Sequence, residues 1–132
     1  MKTSRKRKPK QSVSDPLIPR ESLVTRDKRI SESDVQTTVT RYAKSKGLLG
    51  EKFSSPGKRS VPDYMYSISC GFIFFIEYKA PGKIPTTKQA NDHKKRRERG
   101  CYVFVVDDIK FGKWLIDLMI DIFNLLHRGE FQ

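Results

Sequence analysis

The sequence predicts an α/β protein, because segments with helical and strand-like patterns alternate along the chain. Apolar residues recur at helical spacing from Val35 to Ala43. Tyr64, Tyr66 and Ile68 then alternate with Met65, Ser67 and Ser69, and apolar runs cover residues 72–78, except for Glu77, and 101–106. A period near 3.6 indicates a helix, whereas a period of 2 or a short apolar run indicates a strand. The predicted order is helix, strands, helix, strand, helix, without an internal repeat.

The first helix is predicted to begin after Ser31 or Ser33, since serine is a favoured N-cap. Glu32 suits the positive end of the helix dipole, and Gly47 suits the helix end. Glu32 also lies three residues before Val35, which places it on or beside the buried stripe.

Two strands and a turn are predicted next, after an irregular stretch over residues 50–61 with room for a short strand. Residues 64–69 form a half-buried strand, and residues 70–71 supply a turn. Residues 72–78 are apolar except for Glu77, which predicts a strand buried on both faces. A charge in such a run is costly unless a metal or a partner compensates it.

The second helix is predicted over residues 86–99, a strand over 101–106, and a last helix from the cap Asp107-Asp108 to about Leu126. In the second helix only Ala90 is plainly apolar. Either lysine and arginine stems cover the sheet while their charged ends reach water, or this helix packs loosely.

Composition limits the classes of function. A chain of 132 residues accommodates one domain with a real core. The net charge of +12 favours a polyanionic partner, nucleic acid before an anionic membrane. Cys70 and Cys101 form no CxxC pair, which argues against a zinc site or a disulfide framework. The absence of a signal-peptide pattern or a membrane-spanning run predicts a cytoplasmic protein with no membrane partner.

Residues 1–30 are predicted to be a basic, disordered tail, and residues 31–132 the folded domain. The tail holds ten basic and three acidic residues and lacks a sustained apolar period. Such a segment cannot bury enough surface to offset its ordering entropy. It is either a non-specific DNA tether or a solvated terminus.

Pro62-Asp63 and Glu77-Tyr78-Lys79 carry the strongest functional signal. Thirteen residues separate Asp63 from Glu77, enough for a strand, a turn and most of a second strand. Glu77 and Lys79 share one strand face, and a hairpin would return them to Asp63. Carboxylates suit Mg²⁺, and a lysine can stabilise charge on a phosphate under attack. This arrangement predicts phosphodiester cleavage; the structural alternatives are a surface-turn aspartate and a solvent-exposed pair at a strand end.

The chain resembles the VRR-NUC family of the PD-(D/E)XK nuclease superfamily over about Ser31 to Ile116. An ordered set of motifs with its flanking elements is more specific than a short pattern alone. The set consists of Glu32-Ser33-Asp34-Val35-Gln36, Val61-Pro62-Asp63, Phe75-Ile76-Glu77-Tyr78-Lys79-Ala80-Pro81-Gly82, Gln89, and Gly100 before Val105-Val106-Asp107.

The resemblance implies a restriction-endonuclease-like core, a mixed central β-sheet flanked by α-helices, with a divalent-metal site at one sheet end. Asp63 and Glu77 would hold Mg²⁺ or Mn²⁺, together with the Tyr78 carbonyl. Lys79 would orient or deprotonate the attacking water, or stabilise the developing charge. Glu32 would assist the metal or the water, although an acidic first-turn residue needs no function. One metal and two metals both remain open.

Two polar residues of the second helix have competing interpretations. By resemblance, Gln89 would position Lys79, water or DNA. However, Thr86-x-x-Gln89 is also a capping box, which would occupy the glutamine structurally. His93 follows one turn later and fits a phosphate contact, a proton shuttle or an ordinary helix residue.

Basic residues around the motif are predicted to follow the DNA backbone, because phosphate contacts supply most non-specific affinity. In an ordinary helix, the same run would be a solvated face. The predicted DNA-binding residues are Lys58, Arg59, Lys83, Lys88, His93, Lys94, Arg96 and Arg97.

The expected function is that of a metal-dependent, structure-selective DNA endonuclease, first of all a Holliday-junction resolvase. Small standalone family members resemble such resolvases, and this compact chain resembles virus-encoded ones, which would act in the host cytoplasm. The alternatives are a flap or nicking endonuclease, an exonuclease, or a non-catalytic DNA-binding accessory protein.

A homodimer is expected, because a junction needs two equivalent cuts and the last helix has a broad apolar arc. The arc consists of Trp114, Leu115, Leu118, Met119, Ile122, Phe123 and Leu126.

Overall fold

A four-stranded mixed β-sheet organises residues 29–128, the part of the chain that this computed structural model describes. The elements are α1 (Glu32–Ser45), β1 (Leu49–Lys52), β2 (Tyr64–Ile68), β3 (Phe72–Tyr78), α2 (Thr87–Glu98), β4 (Tyr102–Val106) and α3 (Ile109–Leu126). The strands lie in the order β1-β2-β3-β4; the first two pairings are antiparallel, and β3–β4 is parallel. The predicted α/β class with a mixed, helix-flanked sheet is therefore confirmed. The predicted tail lies outside the described residues, apart from residues 29–30.

Each helix begins at a side chain that the sequence marks as a cap. Ser31 and Asp34 form a reciprocal capping box at α1, and Thr86 and Gln89 form one at α2. Asp108 accepts a hydrogen bond from the Phe111 N–H at the start of α3. These caps satisfy N–H groups that have no partner inside the helix, which is why the starts could be predicted.

The hydrophobic core lies on one face of the sheet, beneath α1 and α3. Phe74, Ile76 and Tyr78 point into this core from β3 and are fully buried. They meet a core cluster that includes Val39 of α1 and Leu115 of α3. Because side chains alternate along a strand, Glu77 and Lys79 point to the opposite face, where α2 lies.

The prediction that β3 is buried on both faces is wrong at its N-terminal end. Ile73 points away from the core and is 39% exposed. Further along this face, Phe75 is half-buried against Phe53. Among the outward-facing residues of β3, only Glu77, beneath α2, is fully buried.

The α2 helix packs through polar and charged side chains. Its buried residues are Asp92 and His93, whereas Ala90 is exposed. The Arg96 guanidinium lies 5.2 Å from the ring centre of Phe53 and 5.5 Å from that of Phe75. An arginine side chain therefore covers part of the sheet, which favours the first of the two packing modes considered for this helix.

No helix within residues 29–128 is both long and apolar enough to cross a membrane. The cytoplasmic location stays a prediction.

Candidate active site

The β2–β3 hairpin brings Asp63 to the C-terminal end of β3. Tyr64 pairs with Ile76, so Asp63 lies beside Glu77. The Tyr78 N–H donates a hydrogen bond of 2.7 Å to Asp63 Oδ2. The Phe53 N–H donates one of 2.8 Å to the Asp63 carbonyl. The aspartate is therefore held at both its backbone and its side chain, at the sheet end that the motif spacing predicted.

A hydrogen-bonded chain of three side chains runs from Glu77 through Gln89 to Lys79. Gln89 Nε2 donates to Glu77 Oε1 at 2.9 Å, and Lys79 Nζ donates to Gln89 Oε1 at 2.9 Å. Lys79 Nζ also lies 3.6 Å from Glu77 Oε1. The glutamine thus fixes the carboxylate and the ammonium relative to each other.

Gln89 forms the capping box with Thr86 and also contacts Lys79, so the contacts of both interpretations are present together. Its Oε1 accepts from the Thr86 N–H at 3.0 Å as well as from Lys79 Nζ. A carbonyl oxygen has two lone pairs, so one atom can cap the helix and hold the lysine. The capping box therefore anchors the side chain that reaches the carboxylate, and does not compete with it.

The acidic groups of this site repel one another. The pKa of Asp63 rises from 3.8 to about 6, because burial and the charges of Glu77 and Glu32 outweigh the hydrogen bond from the Tyr78 N–H. Glu32 itself is exposed in the first turn of α1, near enough for its charge to act on Asp63. Negative charge gathered at one point favours a proton or a cation there.

The residues at this site fit a divalent cation of the magnesium type. Within residues 29–128, no three His, Cys, Asp or Glu side chains are grouped as a ready-made metal cluster. Mg²⁺ needs only one or two carboxylates because it keeps several of its waters. Asp63 and Glu77 supply these two carboxylates, and Glu77 Oε2 has no hydrogen-bond partner among the described residues. The raised pKa of Asp63 is the imbalance that a cation would relieve.

Tyr78 contributes its backbone to the site and its side chain to the core. The ring is fully buried on the opposite face, and its hydroxyl is hydrogen-bonded to that of Tyr66. Burial raises the pKa of both hydroxyls, so both stay protonated. A metal contact by the Tyr78 carbonyl stays a prediction.

His93 is not on a surface that DNA could reach, so the predicted phosphate contact needs correction. Its side chain is only 1% exposed, and Nε2 lies 3.6 Å from Glu77 Oε2. His93 follows Gln89 by four residues, so both project from the same helix face toward Glu77. That spacing was visible in the sequence, but the burial was not.

Asp92 forms a buried ionic contact that the sequence analysis missed. Asp92 is 4% exposed, and its carboxylate lies 2.7 Å from Lys58 Nζ and 2.7 Å from Arg96 Nε. Lys58 belongs to the loop between β1 and β2, so this contact ties the loop to α2. Because Phe53 in the same loop stacks with Arg96 and binds the Asp63 backbone, the contact also supports the site. The i, i+4 spacing of Asp92 and Arg96 was the one available signal.

Replacing Asp92 with asparagine should lower the free energy of unfolding by about 1–3 kcal/mol at pH 7, because two charge-assisted hydrogen bonds are weakened. Burial raises the pKa of Asp92, but hydrogen bonds from Arg96 and Lys58 outweigh it and hold the pKa below its usual range. This stabilisation is therefore present above the ordinary aspartate pKa and is lost as the pH falls through the lowered one. Urea unfolding measures the change. Glu98→Gln, an exposed change on the same helix, is the control, and equal unfolding midpoints for the two variants would contradict the assignment.

Apart from His93, the predicted DNA-binding residues divide into two groups. Lys58 and Arg96 are paired with Asp92, and the Arg97 guanidinium donates to the Val103 carbonyl at 2.7 and 3.0 Å. These three have structural partners, although Lys58 and Arg97 remain accessible to solvent. The exposed residues of the second group are Arg59, Lys83, Lys88 and Lys94.

An open cleft of about 720 Å³, lined mainly by polar and basic residues, adjoins the site. It lies between the loop after β1 and the start of α2, and Gln89 forms part of its wall. The other lining residues are Ser55, Gly57, Lys58, Arg59, Ser60, Thr86 and Lys88, none of which is acidic. Such a cleft suits a phosphate backbone that passes close to Lys79.

No protein-family model matches the sequence. A protein of Acyrthosiphon pisum secondary endosymbiont phage 1, named "Putative nuclease p44", is 36% identical over 78 residues, which cover 59% of this chain and 84% of that protein. A solved structure described as a VRR_NUC domain matches 65% of this chain and 94% of its own, with 32% identity and a TM-score of 0.61. Sequence and three-dimensional similarity thus extend over nearly the whole of these two proteins.

Proposed function

Because this chain belongs to the VRR-NUC family of PD-(D/E)XK nucleases, we propose that it is a metal-dependent deoxyribonuclease that resolves Holliday junctions as a homodimer. The observation that carries the proposal is the linked arrangement of Asp63, Glu77, Gln89 and Lys79 at one sheet end. Two acidic groups and one ammonium meet there beside a basic cleft. A DNA-binding accessory protein would have no need for this arrangement.

Asp63 and Glu77 would hold Mg²⁺ or Mn²⁺, assisted by the Tyr78 carbonyl and by Glu32. A bound divalent ion supplies positive charge for the phosphate under attack and a water of lowered pKa. Lys79 places its ammonium beside the same carboxylates, held by Gln89. From there it would orient or deprotonate the attacking water, or stabilise the charge on phosphorus-bound oxygens.

DNA would lie along the cleft beside α2, bound through its phosphates. Arg59 and Lys88 line this cleft, and Lys83 and Lys94 extend the exposed positive charge. Phosphate contacts position a protein on DNA without reading its sequence. Selectivity would therefore come from the shape of the DNA, as a junction-resolving activity requires.

A homodimer would form through the outer face of α3. Trp114, Leu125 and Leu126 on this helix are 56%, 59% and 60% exposed, a large apolar area for a helix surface. A two-fold dimer supplies two equivalent active sites for the two strands of a junction. Sedimentation equilibrium of the wild type and of Trp114→Asp tests this assembly; the variant should be monomeric and should make unpaired nicks. A monomeric wild type would refute the dimer.

The deciding experiment compares a four-way junction, a flap, a linear duplex and a supercoiled plasmid in the presence of Mg²⁺ or Mn²⁺. Paired, symmetric nicks in the junction are expected. Preference for the flap, simple nicking of the plasmid, or degradation from duplex ends would reassign the substrate and keep the active site. Binding without cleavage of any substrate would support the accessory-protein alternative.

A further inference from the structure

Glu77 presents its two carboxylate oxygens to two different side chains of α2. Oε1 accepts the hydrogen bond from Gln89, whereas Oε2 faces Nε2 of His93 at 3.6 Å. Neither Oε2 nor this nitrogen has a hydrogen-bond partner within residues 29–128, and both are buried. An unpaired buried polar atom destabilises a folded protein, so two that face each other call for an explanation.

We propose that His93 is a positioning residue for Glu77, whose carboxylate it holds by donating a hydrogen bond from Nε2–H to Oε2. A carboxylate oxygen only accepts, so the nitrogen that faces it must carry the proton. The separation of 3.6 Å exceeds a typical hydrogen bond by about 0.5 Å, a gap that a small turn of either side chain would close. Gln89 on one oxygen and His93 on the other would fix the orientation of the carboxylate, and each oxygen keeps a further lone-pair site for the metal.

The helix turn that carries His93 is anchored by its neighbours, and the buried ring, 1% exposed, has little room to turn away. Gln89, one turn before it, is locked in the capping box with Thr86. The adjacent Asp92 is pinned by Lys58 and Arg96. An apolar residue at position 93 could fill the same space, but it would leave Oε2 without a donor. The chemistry of the side chain, and not only its volume, is therefore what Glu77 requires.

This role rests on the proposed function, because the orientation of Glu77 matters most if this residue holds the metal. Residues that orient a metal ligand typically change metal affinity by about 10–100-fold when they are replaced. His93 would therefore act on metal affinity through Glu77, without contacting DNA.

Two amide substitutions separate the hydrogen bond from packing. In His93→Gln the amide nitrogen lies at about the reach of Nε2, whereas in His93→Asn the same group stops near the position of Nδ1. Without DNA, Mn²⁺ affinity measured by calorimetry should fall about 10–100-fold in His93→Asn and stay within about threefold of wild type in His93→Gln. Equal affinities in the two variants would overturn the proposal, and circular dichroism would check that both are folded.

A spectroscopic test does not depend on metal binding. The chain has two histidines, and His127→Asn leaves one imidazole to be assigned by ¹H–¹⁵N correlation in the metal-free protein. We expect the proton on Nε2 of His93; a bare Nε2 would overturn the proposal. If wild type bound Mn²⁺ with the predicted contrast but cut no DNA, the proposed function would fail and the role of His93 would stand. If DNA were cut while both variants bound Mn²⁺ equally, the proposed function would stand and the role of His93 would fail. If wild type bound no Mn²⁺, the presence or absence of the proton on Nε2 of His93 would decide whether His93 donates to Glu77.

Discussion

Replacement of Lys79 with alanine is expected to reduce junction cleavage by about 10³-fold, because the developing phosphate charge loses its nearest ammonium group. Lys79 Nζ is held by Gln89 and lies 3.6 Å from Glu77 Oε1, with the side chain 13% exposed. This position suits the proposed chemical step better than general DNA binding. Metal affinity should be retained or rise slightly, because a positive charge leaves the neighbourhood of Asp63 and Glu77, the proposed metal ligands.

Single-turnover cleavage at saturating enzyme measures this effect, since it separates chemistry from DNA affinity. Lys83→Ala is the matched control: the same residue type, four positions later and exposed on the surface. The control should change the cleavage rate by about twofold or less and should act mainly through DNA affinity. A Lys79→Ala variant that cleaves within tenfold of wild type would place the chemistry elsewhere in the molecule.

Replacement of Asp63 with asparagine is expected to abolish metal binding and cleavage while stabilising the metal-free protein at pH 7. The pKa of Asp63 is about 6 in the folded protein against an ordinary 3.8, because burial and the charges of Glu77 and Glu32 disfavour ionisation. Asparagine retains an oxygen that can accept from the Tyr78 N–H but carries no charge. The variant therefore loses the charge repulsion from Glu77 and Glu32, and it also loses a proposed metal ligand.

The raised pKa determines how stability depends on pH. Folding favours the protonated carboxyl, so the stabilisation from Asp63 is complete below about pH 4 and is lost as the pH rises through about 6. Without metal, urea unfolding should show that the wild type loses stability relative to Asp63→Asn across this interval. Saturating Mg²⁺ should restore wild-type stability at pH 8 and leave the variant unchanged.

Asp121→Asn, an exposed change on α3, controls for the general effect of removing one negative charge. Parallel pH profiles for wild type and Asp63→Asn would refute the electrostatic account of this site. A cleavage rate for Asp63→Asn near that of wild type would instead remove Asp63 from the proposed metal-binding group.

The elements of the fold were predictable because their signals are local. Ser31, Thr86 and Asp108 cap the three helices through hydrogen bonds to residues three positions away. The strand β1 was only a weak expectation, since its four residues are all exposed and show no alternation of burial. This strand forms because it pairs with β2, and the sequence pattern within β1 itself does not indicate that pairing.

The sequence predicted which residues of the candidate site lie close together, but much less of how they contact one another. The spacing of Asp63, Glu77 and Lys79 predicts that they meet, because a hairpin of that length leaves few alternatives. The choice between two interpretations of Gln89 could not be made from the sequence, and the fold satisfies both. For Arg96 and Arg97, the same charge pattern fits DNA binding and packing, and their partners Asp92 and Val103 become neighbours only after folding.

By itself, the sequence determined the order of the elements, the caps of the helices and the sheet end at which the acidic motif converges. All three depend on periodicity and spacing within short stretches, where backbone geometry leaves little choice. Only the tertiary structure decided that His93 is buried against Glu77 and that Asp92 joins Lys58 across 34 positions of sequence. The burial of a polar side chain depends on which surfaces pack over it, and these surfaces come from parts of the chain that only the fold brings together.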